Sequence, residues 1–331
     1  MDRHPHRLLF FRNDRLGETV LNIPAVACLK KTFPKTHVTF LCHPQMAELL
    51  ACVPAIDSVL PDPAPADKSW WAQTKALAPV LRREKFDAAI ISNASKSAHL
   101  ASWLAGIPVR VGYRRKWGGL LNRSLPDNRA ADGRHEVLHN LDLAALLGAD
   151  VSGITFPISI PEDAALNARR HLKQQGLIDG KPYFCMHPWS SNPVKEWPAA
   201  GFAALSERFS TSLGSAPVLI GGQESCARAE TLHRQAPRTI NLTGKLSLVE
   251  LAALLANAQM LVSNDSGPVH LAAALKSPVI ALFGMADPGS QPQRWSPWGS
   301  KNATIQKPLE QLSADEVFAT AQKIFHDPAK T

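Results

Sequence analysis

The chain has 331 residues, 45% of them hydrophobic, and 36 Lys+Arg against 28 Asp+Glu give a net charge of +8. That length exceeds one ordinary core and predicts two domains, while no apolar run reaches the roughly 18 residues of a membrane-spanning helix. Five cysteines, none in a C-x-x-C pair, and no His/Asp/Glu set at metal spacing predict neither a disulfide framework nor a bound metal.

Strand and helix signals alternate from the start. Residues 7–11 read as a buried strand, 19–31 as a helix, 38–41 as a strand and 46–52 as a helix. Residues 61–68 (PDPAPADK) read as a Pro-rich loop, 70–83 as a helix, 88–92 as a strand, 97–104 as a helix and 109–112 as a short strand. Residues 113–134, rich in Arg, Lys, Gly and Asn, read as a long loop. A helix over 135–147 stops at Gly148, a favoured terminator. Residues 149–162 lack periodicity and carry Pro157 and Pro161, so the boundary falls there, dividing 1–158 from 159–331. The second half repeats the alternation, with strands at 183–186, 217–220, 239–242, 260–262 and 279–283. Its helices fall at 162–175, 198–209, 225–235, 247–257, 268–275 and 313–325. Such alternation predicts α/β domains with parallel sheets, a cleft between two such units, and ligands at the carboxyl ends of the strands.

Five strand ends carry polar residues. In the last, an apolar strand enters the turn Ser263-Asn264-Asp265-Ser266-Gly267, and Pro268 opens a helix. The free amides and positive dipole end there suit an anion, with Asp265, Ser266 and His270 around them. This is the layout of a nucleotide-diphosphate cradle and points to an activated sugar. The loop His187-Pro188-Trp189-Ser190-Ser191-Asn192-Pro193-Val194-Lys195 offers two hydroxyls and an ammonium group to a diphosphate leaving group. Gly221-Gly222-Gln223-Glu224 allows a flat ring or ribose near the backbone, or is a plain tight turn; it is not G-x-G-x-x-G. Thr243-Gly244 marks another strand end with small residues.

The first strand ends in Arg12-Asn13-Asp14-Arg15-Leu16-Gly17-Glu18. Glu18, at a helix start, is a general base for an acceptor hydroxyl or simply a helix-start charge. Asp14 is a second carboxylate, or the partner of a flanking arginine. Most of the basic excess lies in residues 1–150, with 20 Lys+Arg against 14 Asp+Glu. It draws an anionic partner or is ordinary solvated surface; without a dense basic stripe and interleaved aromatics, nucleic acid is not expected.

Taken together, RNDRLGETVLNIPAV (12–26), HEVLHNLDLAALLGAD (135–150), HPWSSNPVKEWP (187–198), LTGKLSLVELAALLANA (242–258) and SNDSGPVHLAAAL (263–275) resemble glycosyltransferase family 9, the heptosyltransferase-like enzymes of lipopolysaccharide assembly. The resemblance implies two Rossmann-like domains facing across a cleft, the GT-B arrangement. Residues 1–158 would bind the acceptor and 159–331 the donor, with the last helix packing back on the first domain. It implies metal-independent, inverting transfer from a nucleotide sugar, typically ADP-heptose, with no cofactor. Ser190, Ser191 and Lys195 match the phosphate-binding set. Asp265, Ser266, Gly267 and His270 match the donor cradle, joined by Thr243 and Gly244, and Gln223-Glu224 is similar in place to the nucleoside-contacting loop. Glu18 stands where the family usually has Asp, one methylene further out, with Asp14 as the fallback base. Arg12, Arg15 and the loop Arg114-Arg115-Lys116 would attract an anionic glycolipid acceptor. A cytoplasmic enzyme touching the inner membrane face is the expectation, with its oligomeric state unassigned. The alternatives are a nucleotide-sugar epimerase or hydrolase on the same scaffold, and a non-catalytic sugar-nucleotide-binding protein.

Overall fold

The computed structural model describes residues 4–64, 69–178, 180–287, 289 and 291–326. The chain forms two compact units, Met1–Ser159 and Ile160–Thr331.

The first unit holds β1 (Arg7–Arg12), β2 (His37–Cys42), β3 (Ser58–Pro61), β4 (Ala88–Ile91), β5 (Val109–Arg114) and β6 (Arg123–Pro126). They form one parallel sheet in the order β3-β2-β1-β4-β5-β6. Its helices are α1 (Leu16–Val20), α2 (Ile23–Thr32), α3 (Ala47–Ala51), α4 (Trp70–Glu84), α5 (Lys96–Leu104) and α6 (Glu136–Ala145). Both faces of β1 are covered, which is why it reads as a continuous apolar run rather than an alternating one. Leu9, Phe11 and Ile91 pack with Leu77 and Leu81 of α4 and Ala98 and Ala101 of α5.

The second unit repeats the plan. Strands β7 (Tyr183–His187), β8 (Ala216–Leu219), β9 (Ile240–Asn241), β10 (Leu261–Asn264), β11 (Val279–Phe283) and β12 (Ala303–Gln306) lie in the order β12-β11-β10-β7-β8-β9, again parallel. The helices are α7 (Glu162–Gln174), α8 (Ala199–Ser212), α9 (Cys226–Gln235), α10 (Leu248–Asn257), α11 (Gly267–Ala274), α12 (Pro292–Trp295) and α13 (Ala314–His326). In each sheet the strand order reverses beside the first strand, at β1/β4 and at β7/β10. Crevices for ligands open at such reversals.

Three sequence expectations need correction. The helix over 19–31 is two helices, because Pro24 has no N–H to give the Val20 carbonyl. Side chains seal the break: Asn22 Nδ2 donates to Glu18 O at 2.6 Å and Asn140 Nδ2 to Leu21 O at 3.0 Å. The long loop over 113–134 contains β6, a half-exposed edge strand paired to β5. The loop over 61–68 begins inside a strand, since Pro61 closes β3; residues 65–68 lie outside the described residues. The buried face of α13, Val317, Ala321 and Ile324, lies in the core of the second unit, where Phe318 meets Phe209 edge-on at 5.4 Å.

Candidate active site

At the β7/β10 reversal the structure brings together two loops from the donor prediction. Lys195 Nζ lies 2.8 Å from Asp265 Oδ2 and 3.4 Å from Asp287 Oδ2. Burial opposes the ammonium charge, but Asp265 and then Asp287 outweigh it and hold the Lys195 pKa above its usual value. Lys195 therefore carries its full charge where a diphosphate would need it. Asn192 Nδ2 donates to Asp287 at 3.0 Å, which fixes the second carboxylate.

The loop is pinned to the turn after β10. Asn264 Nδ2 donates to Pro188 O at 2.7 Å, and its Oδ1 accepts from Trp197 N at 3.0 Å. Trp197 Nε1 donates to Leu312 O at 2.9 Å. Glu196 accepts from Ser190 N at 2.8 Å and is ion-paired with Arg228, whose guanidinium lies over the Trp189 ring at 4.8 Å. Ser190 is half-buried and Ser191 exposed. Gly267 opens α11; Pro268 in its first turn has no N–H, and Val269 N donates to Ser266 O at 3.2 Å. Ser266 does not cap that helix with its side chain. Its hydroxyl meets His187 Nδ1 at 3.0 Å and Ser263 Oγ at 2.9 Å. Burial pushes the His187 pKa down to about 4, so this ring is neutral. His270 is buried, its ring 6.3 Å from that of Trp295.

Gln223 and Glu224 sit in an exposed turn after β8, and Thr243-Gly244 follow β9 beside it. Gly244 has φ +72°, and a Cβ there would strike Gln223 and Cys226, so the position requires glycine. Thr243 Oγ1 and Trp189 Nε1 are buried without a hydrogen-bond partner among the described residues. Both lie against Gly221, so this corner has unused donors.

In the first unit, Glu18 stands in the first turn of α1, half-buried. Burial first, then the Asp14 charge, raise its pKa above the ordinary carboxylate value; Arg12 and Arg15 pull the other way. A raised carboxylate is a stronger base once deprotonated. Asp14 is paired with Arg12 at 2.6 Å. Arg12, expected to attract the acceptor, is 5% exposed and also reaches Glu136 at 3.8 Å. Glu136, fully buried at the start of α6, holds Arg129 at 3.2 Å, and Arg129 holds Asp127 at 2.7 Å. The charge of Arg12 is consumed inside this network. Arg15, Arg114, Arg115 and Lys116 are exposed. Arg114 donates to Ser124 Oγ at 3.2 Å, and Arg115 lies 3.8 Å from Asp127.

The sequence reading missed a cavity of about 530 Å³ along the carboxyl ends of β1 to β4. Asn13, Asp62, Asn93, Ser97, Trp70 and Lys116 contribute to its lining. Only strand order could have revealed it, because these residues are scattered over a hundred positions.

Two doubly wound sheets, one with a cationic turn at its strand reversal, the other with a half-buried carboxylate beside its own, describe a nucleotide-sugar-dependent glycosyltransferase of GT-B type. The chain belongs to glycosyltransferase family 9, whose model, described as "Glycosyltransferase family 9 (heptosyltransferase)", matches residues 74–323. It is 27% identical to a lipopolysaccharide heptosyltransferase 3 of Escherichia coli over 86% of this chain and 84% of that one. Its fold matches a family 9 glycosyltransferase from Veillonella parvula with TM-score 0.86 at 22% identity, covering 98% of each chain. It also matches the E. coli ADP-heptose lps heptosyltransferase II with TM-score 0.80 at 22% identity, covering 96% of this chain and 98% of that one.

Proposed function

We propose that this glycosyltransferase moves a heptosyl group from ADP-heptose to a saccharide acceptor of lipopolysaccharide type, with inversion and without a metal. The observation that carries the reading is the meeting of Lys195 with the turn 264–267 at the strand reversal of the C-terminal sheet. The diphosphate would displace Asp265 and Asp287 from Lys195 and lie at the positive end of α11. Ser190, Ser191, Thr243 and His270 would complete the donor site, with Gln223 and Glu224 at the nucleoside end. Glu18 removes the proton from the acceptor hydroxyl, whose oxygen attacks the anomeric carbon. The bond to the diphosphate oxygen breaks with its electron pair, and Lys195 stabilises the charge that collects there. Arg15, Arg114, Arg115 and Lys116 supply positive charge for an anionic glycolipid. Exposed Trp70, Trp71 and Trp117, in mutual ring contact beside that basic loop, suit the bilayer interface.

The test is turnover of ADP-heptose with truncated lipopolysaccharide. Glu18→Gln should lower kcat about 10²–10⁴-fold with donor affinity unchanged. Equal donor consumption with and without acceptor would instead establish the epimerase or hydrolase alternative.

A further inference from the structure

The Lys195 ammonium already has anions on it, and they belong to the protein. Asp287, beyond the end of β11, accepts from Asn192 Nδ2 at 3.0 Å through Oδ2, which also lies 3.4 Å from Lys195 Nζ. Its Oδ1 accepts from Gly289 N at 2.8 Å. Asp265 Oδ2 takes the same ammonium at 2.8 Å. One ammonium therefore faces two carboxylates, and the trio carries one negative charge in excess. The Gly289 amide first, then Lys195 and Asn192, outweigh the cost of burial and hold the Asp287 pKa below the ordinary carboxylate value, so that charge is present at neutral pH. A loop that is itself negative receives a diphosphate poorly, because like charges at this range oppose each other.

The two carboxylates are not equivalent. Asp265 is fixed between β10 and α11: its own N–H donates to Leu282 O at 3.1 Å, and the neighbouring Asn264 is tied to Pro188 and Trp197. Asp287 stands nearer the surface, beside exposed Met285 and Ala286, with twice the side-chain exposure of Asp265. When its carboxylate turns away, water replaces its partners. An ion pair this exposed shifts an equilibrium by no more than about fivefold. What Asp287 occupies, one ammonium and one amide N–H, is also what a phosphate oxygen requires of a site.

We infer that Asp287 is an internal competitor of the nucleotide diphosphate: it holds Lys195 and Asn192 in the nucleotide-free chain, yields them to the diphosphate, and weakens retention of the nucleoside diphosphate product by reclaiming them. The inference rests on the reading of Lys195 as a diphosphate ligand and adds a regulation of that same site. Apparent affinity is lowered by the fraction of chains in which Lys195 is free to bind. The carboxylate only exchanges partners, ammonium and amide for water, and no covalent bond changes.

The experiment is isothermal titration of the full chain with ADP at low ionic strength, for the unaltered chain, Asp287→Asn, Lys195→Ala and the double variant. Asp287→Asn keeps the shape and removes the charge. It should bind ADP about 2–5-fold tighter, with a gain that narrows as salt is added. The gain should vanish when Lys195 is alanine, so that the double variant binds ADP as Lys195→Ala does. A variant that failed to fold could not bind more tightly. Unchanged affinity in Asp287→Asn overturns the inference, because the carboxylate is then not in the diphosphate's place. Weakened affinity overturns it as well, because Asp287 then serves the ligand or holds Lys195 in position. An equal gain in both backgrounds overturns it too, leaving only a general field effect. Lys195→Ala with undiminished ADP affinity would instead sink the diphosphate reading itself, so the two failures are told apart.

Discussion

Glu136 is the sharpest point at which to load the N-terminal unit. Its carboxylate is fully buried and sits between Arg129 at 3.2 Å and Arg12 at 3.8 Å, both guanidiniums less than a tenth exposed. Glu136→Ala leaves two enclosed positive charges sharing only Asp127 and Asp14. Removing one partner of a buried ion pair costs about 3–5 kcal/mol, because the remaining charge keeps its desolvation penalty. For a domain of this size each kcal/mol lowers Tm by about 2–4 °C, so a fall of about 6–20 °C is expected. Glu136→Gln keeps an oxygen acceptor and should fall less. The control is Asp142→Asn, which breaks the exposed pair with Arg134 at 2.7 Å; a pair of that kind contributes about 0–1 kcal/mol. Differential scanning calorimetry of all three variants, without nucleotide, reads the comparison. Equal shifts for Glu136→Ala and Asp142→Asn would refute the premise that enclosure, not pairing as such, sets the cost.

Asp14→Asn removes the like charge beside Glu18, so the Glu18 pKa falls and the acid limb of the kcat/KM profile moves to lower pH; an unmoved limb means that another group sets it. Since folding raises the Glu18 pKa, its stabilising effect is present below the unfolded value and lost as pH rises through the folded one. Glu18→Gln should thus raise Tm at neutral pH while lowering kcat, and a lowered Tm contradicts this. Gly201→Ala drives a methyl into the buried Trp197 ring and should destabilise the C-terminal unit by about 1–3 kcal/mol, visible in urea unfolding. Trp71→Ser with Trp117→Ser should abolish co-sedimentation with anionic vesicles; undiminished sedimentation removes the tryptophans from membrane contact.

What was legible follows from physics. The central strands β1, β4, β7, β10 and β11 announce themselves because both faces are buried and their interior positions are apolar or small, with polar residues only at the strand ends. The strands β3, β6 and β12 do not, because each is half-exposed and exists through the open hydrogen bonds of one neighbour. The helix over 19–31 misled because its apolar spacing runs unbroken across Pro24, whose missing N–H matters more than periodicity. At the donor loops the residues lie within one or two short segments, so local reading reached Lys195, Asp265 and Gly267. Asp287 and Arg228, which hold that loop, belong to other segments, and Glu196, though next to Lys195, has no local signature. Asn13, Asp62 and Asn93 meet only through parallel register. Arg12 looked free because sequence reveals its charge but not Glu136, 124 positions away, which helps neutralise it.

The seam between α1 and α2 has a consequence for anyone exchanging parts among relatives. Asn140 stitches the Leu21 carbonyl to α6, and four residues earlier on that helix Glu136 reaches the guanidinium that steadies Asp14. A chimera that imports 12–26 without 129–140 brings Glu18, the proposed base, but not its frame. The two stretches have to move together, or the graft loosens around that carboxylate.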